Sequence, residues 1–380
     1  MPSMRMSACI VALFVFSSAY APPATAQQQL TTWRATEVWR VDGTQAGEPF
    51  ANVRDLLIGS DGTLWALDFK DQRIRRFDAN GTELASVSRK GSGPGEMRNA
   101  NGMVMGRDGS VWVNDPSNGR LSQFDANGRF LKQHLAPGGG YGYRWGAWHD
   151  RRTGEIVDQF LRVRPDQSSE MEWRRWSADG AIRDTFPIPT CLSGVAAPLA
   201  VYRAETKGKG DMGGQYPFTT GGGQTPNGTG GVWCASPSST TVALVRIGKN
   251  DTLLHTALRL PAIPIGKAER QAAINEIQKE VAKYAVNNFD PAKVPSVKSA
   301  IAALTVDDDG RLWVQHATQY GDTTITFDVH DAAGKHLGRV RIPQRPALQS
   351  LPIRARGNSL WIAIRDADDV ISIARYRIAP

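Results

Sequence analysis

Between Gly138 and His149 the chain reads GGGYGYRWGAWH, and Tyr141, Tyr143 and Trp145 alternate. Alternate residues of an extended chain share one side. The three rings could therefore form a stacking platform for a sugar, a peptide or an aromatic group. Arg144 or His149 would supply the polar contact, and the flanking glycines would let a ligand come close. The competing reading is that these rings pack beneath the next strand, which suits Trp148 best. A second stretch, Arg89-Lys-Gly-Ser-Gly-Pro-Gly-Glu-Met97, looks like a phosphate loop. Such a loop needs a following helix whose N–H groups face the anion, and here a strand precedes the glycines and another follows. The six histidines, at 134, 149, 255, 316, 330 and 336, recur at no fixed spacing and form no short metal pair. The sequence contains no Ser-His-Asp motif, nucleophile elbow or His-Glu-x-x-His. Asp307-Asp-Asp-Gly310 resembles half a calcium loop, but it matches the Asp-Gly pairs at 61–62 and 108–109 and reads as a turn.

The elements that must position these residues are announced by repetition. Gly59-Ser-Asp-Gly-Thr-Leu-Trp65 is echoed by Gly106-Arg-Asp-Gly-Ser-Val-Trp112, 47 residues later. Phe77 and Phe124 keep the same spacing, as do the Asp-Ala-Asn-Gly turns at 78–81 and 125–128. A period of this size marks a solenoid, propeller or array. The tryptophan position continues through Val157, Trp233, Trp313 and Trp361, in steps of about 47, 45, 76, 80 and 48, which makes six copies. Within a copy, short strands such as 53–58, 64–68, 73–78 and 83–88 are joined by Asp-Gly and Asn-Gly turns, strong hairpin signals. Four antiparallel strands per unit of about 45 residues is a propeller blade. The fold expected is all-β: a six-bladed β-propeller of four-stranded blades, residues 27–380 forming one domain. The last copy has room for three strands, so Glu37–Val41 is expected to complete it, joining the chain ends and leaving no open edge.

Gly91-Ser-Gly-Pro-Gly-Glu-Met97, followed by a strand, Asp-Gly, an aromatic strand and Asp115-Pro-Ser-Asn-Gly-Arg120, is similar to NHL-type repeats. More broadly, the chain resembles six-bladed β-propeller proteins exported by bacteria. The match is sharp over 50–130, moderate over 300–380 and weak over 136–260. Some proteins of this fold, such as gluconolactonases and the peptidylglycine amidating lyase, bind calcium or zinc in the channel. The resemblance implies that Asp55, Asn52 and Asn101, near first strands, and His149 and His316 would be the candidate ligands here.

The two long steps place insertions at about 187–230 and 260–299. Both join the last strand of one blade to the first of the next, so they emerge on one face. The glycine-rich part, 206–231, reads as a loop, with a lid over the channel mouth as the sharper alternative. Ile274, Ile277, Val281 and Tyr284 fall at helical spacing, which predicts one amphipathic helix over 267–287 resting on the propeller face or docking a partner. Cys191 and Cys234 would form one disulfide in an oxidising compartment. Residues 1–26 carry a signal-peptide pattern: Arg5, the apolar run Ala8–Phe16, and Ala24-Thr25-Ala26 before Gln27. No later stretch is long and apolar enough for a transmembrane helix. A periplasmic or secreted monomer is expected. The formal charge is +8, one unit of it on Arg5, but the basic pairs are scattered among acidic residues. That is not the clustered stripe of a nucleic-acid binder.

Two readings follow. The leading one is a non-catalytic scaffold, without a cofactor, that binds a peptide, glycan or partner protein on the insertion-bearing face through Tyr141, Tyr143, Arg144, Trp145 and His149. The alternative is a calcium- or zinc-dependent lactonase or lyase with ligands lining the channel.

Overall fold

The structure, a computed structural model, describes residues 31–380 except 45–47, 137–144, 167–168, 189–200, 206–210, 219–222, 236–240, 247–251, 259, 261–262, 320, 345–351, 367 and 369. Strand dominates. Val53–Ile58, Leu64–Asp68, Arg73–Phe77 and Glu83–Val87 pair in order as one antiparallel sheet. Three more four-stranded sheets follow, over 102–135, 147–187 and 223–257. An eight-stranded sheet holds the rest of the large strands. One half runs from Ile301–Val306 to His336–Ile342; the other runs Thr32–Val41, Ile371–Ala379, Ser359–Arg365, Ile353–Arg356. Among the described residues the strands of the two halves pair only where Thr32 and Trp33 lie parallel to Arg339 and Val340.

The N-terminal strand does pair antiparallel with Ile371–Ala379, from Arg34 opposite Ala379 to Val41 opposite Ile373. It begins at Thr32, five residues before the segment read from sequence. Across this seam the Tyr376 hydroxyl donates to Glu37 at 2.9 Å. Burial and the nearby carboxylate push the phenol pKa up to about 12, so this bond keeps its proton at neutral pH.

Repetition in sequence becomes repetition in contact. Trp65, Trp112, Trp233, Trp313 and Trp361 are all 3% exposed or less, and each sits on the second strand of its sheet. Apolar clusters run from sheet to sheet in chain order: Trp65 lies with Met103 and Val113, and Trp112 with Ile156 and Trp176. Trp361 returns to the first sheet, beside Val53 and Leu56. Deleting a ring so buried costs about 3–5 kcal/mol. A carboxylate repeats as well. Asp68 accepts the N–H groups of Ala51 and Asn52, and Asp115, 47 residues on, accepts those of Arg98 and Asn99. Each ends a second strand and fastens the segment that leads into a first strand.

The insertions meet each other. Val201–Glu205 and Asp211–Gln215, from the first, form a three-stranded sheet with Val286–Asn287, from the second. Helix α1, Lys267–Val281, buries Ile274 and Val281 against Tyr202, Ala204, Tyr216 and Val294, with Ile277 and Tyr284 at the edge. The expected apolar stripe is present, but its partner is the other insertion. Arg270 fastens the return segment, donating to the carbonyls of Pro291 and Val294. Within the segment read as a glycine-rich loop, Asp211–Gln215 and Gly223–Pro226 are strands, the latter pairing with Gly231–Ala235.

Candidate functional site

First strands have a partner on one side only, so their free edges gather at the centre. There they enclose a cavity of about 690 Å³, within the range for small-ligand sites. Its wall takes residues from Val53–Ile58, Gly102–Met105, Ala147–His149, Gly223–Pro226, Ile301–Val306 and Ile353–Arg356, and from the turns that follow them. The wall uses the C-terminal ends of these strands, so the cavity lies toward the first hairpin turns. The insertions join the opposite ends.

Tight turns at that rim follow from sequence. Gly59 N–H bonds Thr63 O at 2.8 Å, Asp61 accepts the Thr63 N–H, and Gly62 adopts φ 84°. The turn at 106–110 repeats this, with Asp108 accepting from Ser110 and Gly109 at φ 79°. Positive φ is inexpensive only for glycine.

Arginines hold the rim. Arg354 donates to Asp55 at 2.8 Å, and Asp55, 1% exposed, also accepts the N–H of Met103 from the next sheet. One carboxylate thus links three consecutive first strands. Arg356 donates to the carbonyls of Gly59 and Ile58 and faces Asp308 at 3.3 Å. Arg151 reaches from the third sheet to the Asn227 carbonyl at 2.9 Å and the Asp308 carbonyl at 2.6 Å. Arg107 is exposed at the same rim.

The sequence candidates distribute as follows. His149 lines the cavity, and its buried Nε2 has no hydrogen-bond partner. Burial lowers its pKa, Asp150 opposes that shift, and Arg107 and Arg151 add to it; the ring is neutral at neutral pH. Trp145 borders the cavity but is 4% exposed, and its Nε1 donates to Asp158 at 3.0 Å. It is held in packing and offers no open ring face. Asp158 also accepts from Trp176 and from Arg174, a fully buried hub. Trp148 packs edge-on to Trp173 at 4.6 Å. Asn101 accepts at its side-chain oxygen from Asn114, and its carbonyl accepts the Trp145 N–H. His316 sits off the cavity wall, bonded to Asp328 at 2.9 Å. Burial would raise the Asp328 pKa, but the bonds from His316 and Arg339 outweigh it and hold the carboxyl far below its usual range. Tyr141, Tyr143, Arg144 and Cys191 lie outside the described residues. Cys234 is buried on the second strand of the fourth sheet.

Among the described residues no group of three or more His, Cys, Asp or Glu could hold a metal ion. Asp55 accepts from Arg354 and Met103, and Asn101 from Asn114, and neither lines the cavity. Sequence reasoning missed Arg107, Arg354 and Arg356 altogether, and took Arg151 as one of several scattered basic residues. The available signal was their place at the ends of first strands in successive repeats.

No family model and no curated protein matches the chain in sequence. Solved structures do. BF0058 of Bacteroides fragilis NCTC 9343, a protein assigned to export, is 12% identical over 92% of this chain and 96% of its own, with a TM-score of 0.52. Virginiamycin B lyase of Staphylococcus aureus is 12% identical over 91% and 99%, at 0.45. A gluconolactonase of Xanthomonas campestris is 12% identical over 91% and 90%, at 0.44. No helix among the described residues is long and apolar enough to cross a membrane. At these identities the likeness speaks of fold alone: repeated four-stranded antiparallel sheets and a structural match along nearly the whole chain make this protein a β-propeller.

Proposed function

We propose that this chain is an exported six-bladed propeller that acts as a binding scaffold, and that its ligand enters the central cavity at the hairpin-turn end. The eight-stranded sheet counts as two blades, joined by the short parallel contact at Thr32 and Trp33. Export rests on the signal-peptide pattern of residues 1–26. The observation that carries the binding reading is convergence. Six first strands bring an apolar wall (Met103, Leu304, Val306) and arginine-bearing turns around one cavity of about 690 Å³. The lining mixes these apolar side chains with polar ones such as Gln159, Gln224 and Thr305, and a concave site with placed polar groups is the usual form of a ligand pocket. Such a cavity suits a small molecule or the end of a peptide or glycan chain. The lactonase or lyase alternative needs converging oxygen or imidazole ligands, and the described wall does not supply them.

The test is a thermal-shift screen of the purified chain against small acids, sugars, short peptides, calcium and zinc. Thr305→Trp, which fills the cavity, serves as control. A ligand that stabilises the native protein and not the variant supports the reading. Stabilisation by calcium or zinc together with lactone turnover would replace it by the enzyme alternative.

A further inference from the structure

The cavity rim carries more cationic charge than it neutralises. Arg354 is matched by Asp55, and Arg311, behind the rim, by Asp307 at 2.7 Å. Arg356 has the exposed Asp308 carboxylate at 3.3 Å. Arg151 meets no carboxylate; its two bonds end on main-chain oxygens. Those oxygens fix its guanidinium in place, while three of its five N–H groups stay unspent. Arg107 makes no hydrogen bond or ion pair among the described residues. Its neighbour Asp108, also exposed, accepts from the Ser110 N–H and hydroxyl. Both Arg107 and Arg151 lie near enough to the His149 ring to act on it. These side chains belong to the second, third and sixth first-strand ends, and all three line the same cavity.

We propose that the rim is an anion site, in which Arg107, Arg151 and Arg356 hold a carboxylate or phosphate group while the rest of the ligand lies along the apolar wall. The proposal deepens the binding reading above and rests on it. Arginine suits this role because its planar fork gives paired, charge-assisted bonds to either anion. Arg151 and Arg356 are ordered before the ligand arrives, so little side-chain entropy is lost on binding. Arg107 is the member free to close onto the anion.

The experiment is isothermal titration of the purified chain at constant ionic strength with citrate, inorganic phosphate and uncharged glycerol. Saturable binding of citrate or phosphate, and none of glycerol, is expected. Citrate alone would name a carboxylate ligand, and phosphate alone a phosphorylated one. Arg107→Glu should weaken the anion about tenfold, the worth of a charge-assisted bond, and Arg107→Lys should restore most of it. The Arg107 side chain is exposed and unbonded, so both variants should keep the parent circular dichroism and melting curve. Absence of anion binding, or anion binding that Arg107→Glu leaves unchanged, overturns the proposal. If neutral ligands then still bind and Thr305→Trp blocks them, the anion assignment falls and the cavity reading stands. If anions bind equally to Thr305→Trp, the cavity reading falls with it.

Discussion

The two ends of the central channel are built by different means. At one end are long, irregular connections that carry a helix and extra strands. At the other are short Asp-Gly and Asn-Gly turns that hardly vary. Length suggests that the first end carries the function, since variable loops on a regular scaffold usually do. The side chains point the other way. The insertions spend their apolar residues on one another: Tyr202, Tyr216, Ile274, Val281 and Val294 form a closed cluster, with Phe289 packed on both tyrosine rings. The short turns, by contrast, surround a cavity and hold arginines in place around it. A long insertion can be a small domain that satisfies itself, and a short turn can frame a site.

The largest effect expected is on the turn-end scaffold. Asp158→Ala would leave Arg174 buried without its partner and take an acceptor from Trp145 and Trp176. Breaking such a buried pair costs about 3–5 kcal/mol. Urea unfolding should show the whole ring losing stability in one transition. A local loss confined to 147–187 would break the view that the sheets unfold as a unit.

Next in size is the proposed Cys191–Cys234 disulfide, which would tie the first insertion to the fourth sheet. On the chain-entropy model a loop of this length is worth about 4 kcal/mol. Thiol titration of the denatured, unreduced chain 27–380, which lacks Cys9, should find none free. Two titratable thiols would remove the tie.

The contrast sharpens at Ile274, 3% exposed in the insertion cluster. Ile274→Ala should cost about 3 kcal/mol, seen by hydrogen exchange in 201–216 and 267–298. Ligand affinity at the opposite end should not change. A parallel fall in affinity would mean that the two ends are coupled.

The smallest effect is on pH. Burial lowers the pKa of His134, His149 and His330 in the folded chain below the ordinary 6.5. Each is favoured neutral, so the unfolded chain binds the extra proton. Their contribution is complete above about pH 6.5 and is lost as the pH falls through the folded values. The melting temperature should drop over that window and recover on return to neutral pH. All three belong to the sheets, none to the insertion cluster, so exchange should quicken in the sheets first. A melting temperature flat between pH 7 and 5 would contradict this.

Much of the fold was legible because its signals are local and repeat at a fixed period. Trp65 and Trp112 sit in the same place because each fills the space between its own sheet and the next; at the third position Val157 does so together with Trp173. Asp61-Gly62 and Asp108-Gly109 turn alike because glycine accepts positive φ and the aspartate supplies its own acceptor. The N-terminal strand was found by counting, since the last repeat lacked a strand that Thr32–Val41 supplies. The helix, too, could be read from its spacing, although its partner could not.

The partnership of the two insertions joins residues some 70 to 90 positions apart. No period relates them, so nothing in the chain announced that Ile274 would face Tyr202. The arginine rim escaped for a related reason. A guanidinium on a strand end reads as ordinary solvation until the ring closes and brings that end toward the axis. Sequence alone determined the repeat, the turns and the buried tryptophans, because each depends on neighbours a few residues away or on copies of itself. Tertiary structure decided that a cavity forms at the turn end of the channel and which charges face it, because those depend on distant strand ends brought together by closure of the ring.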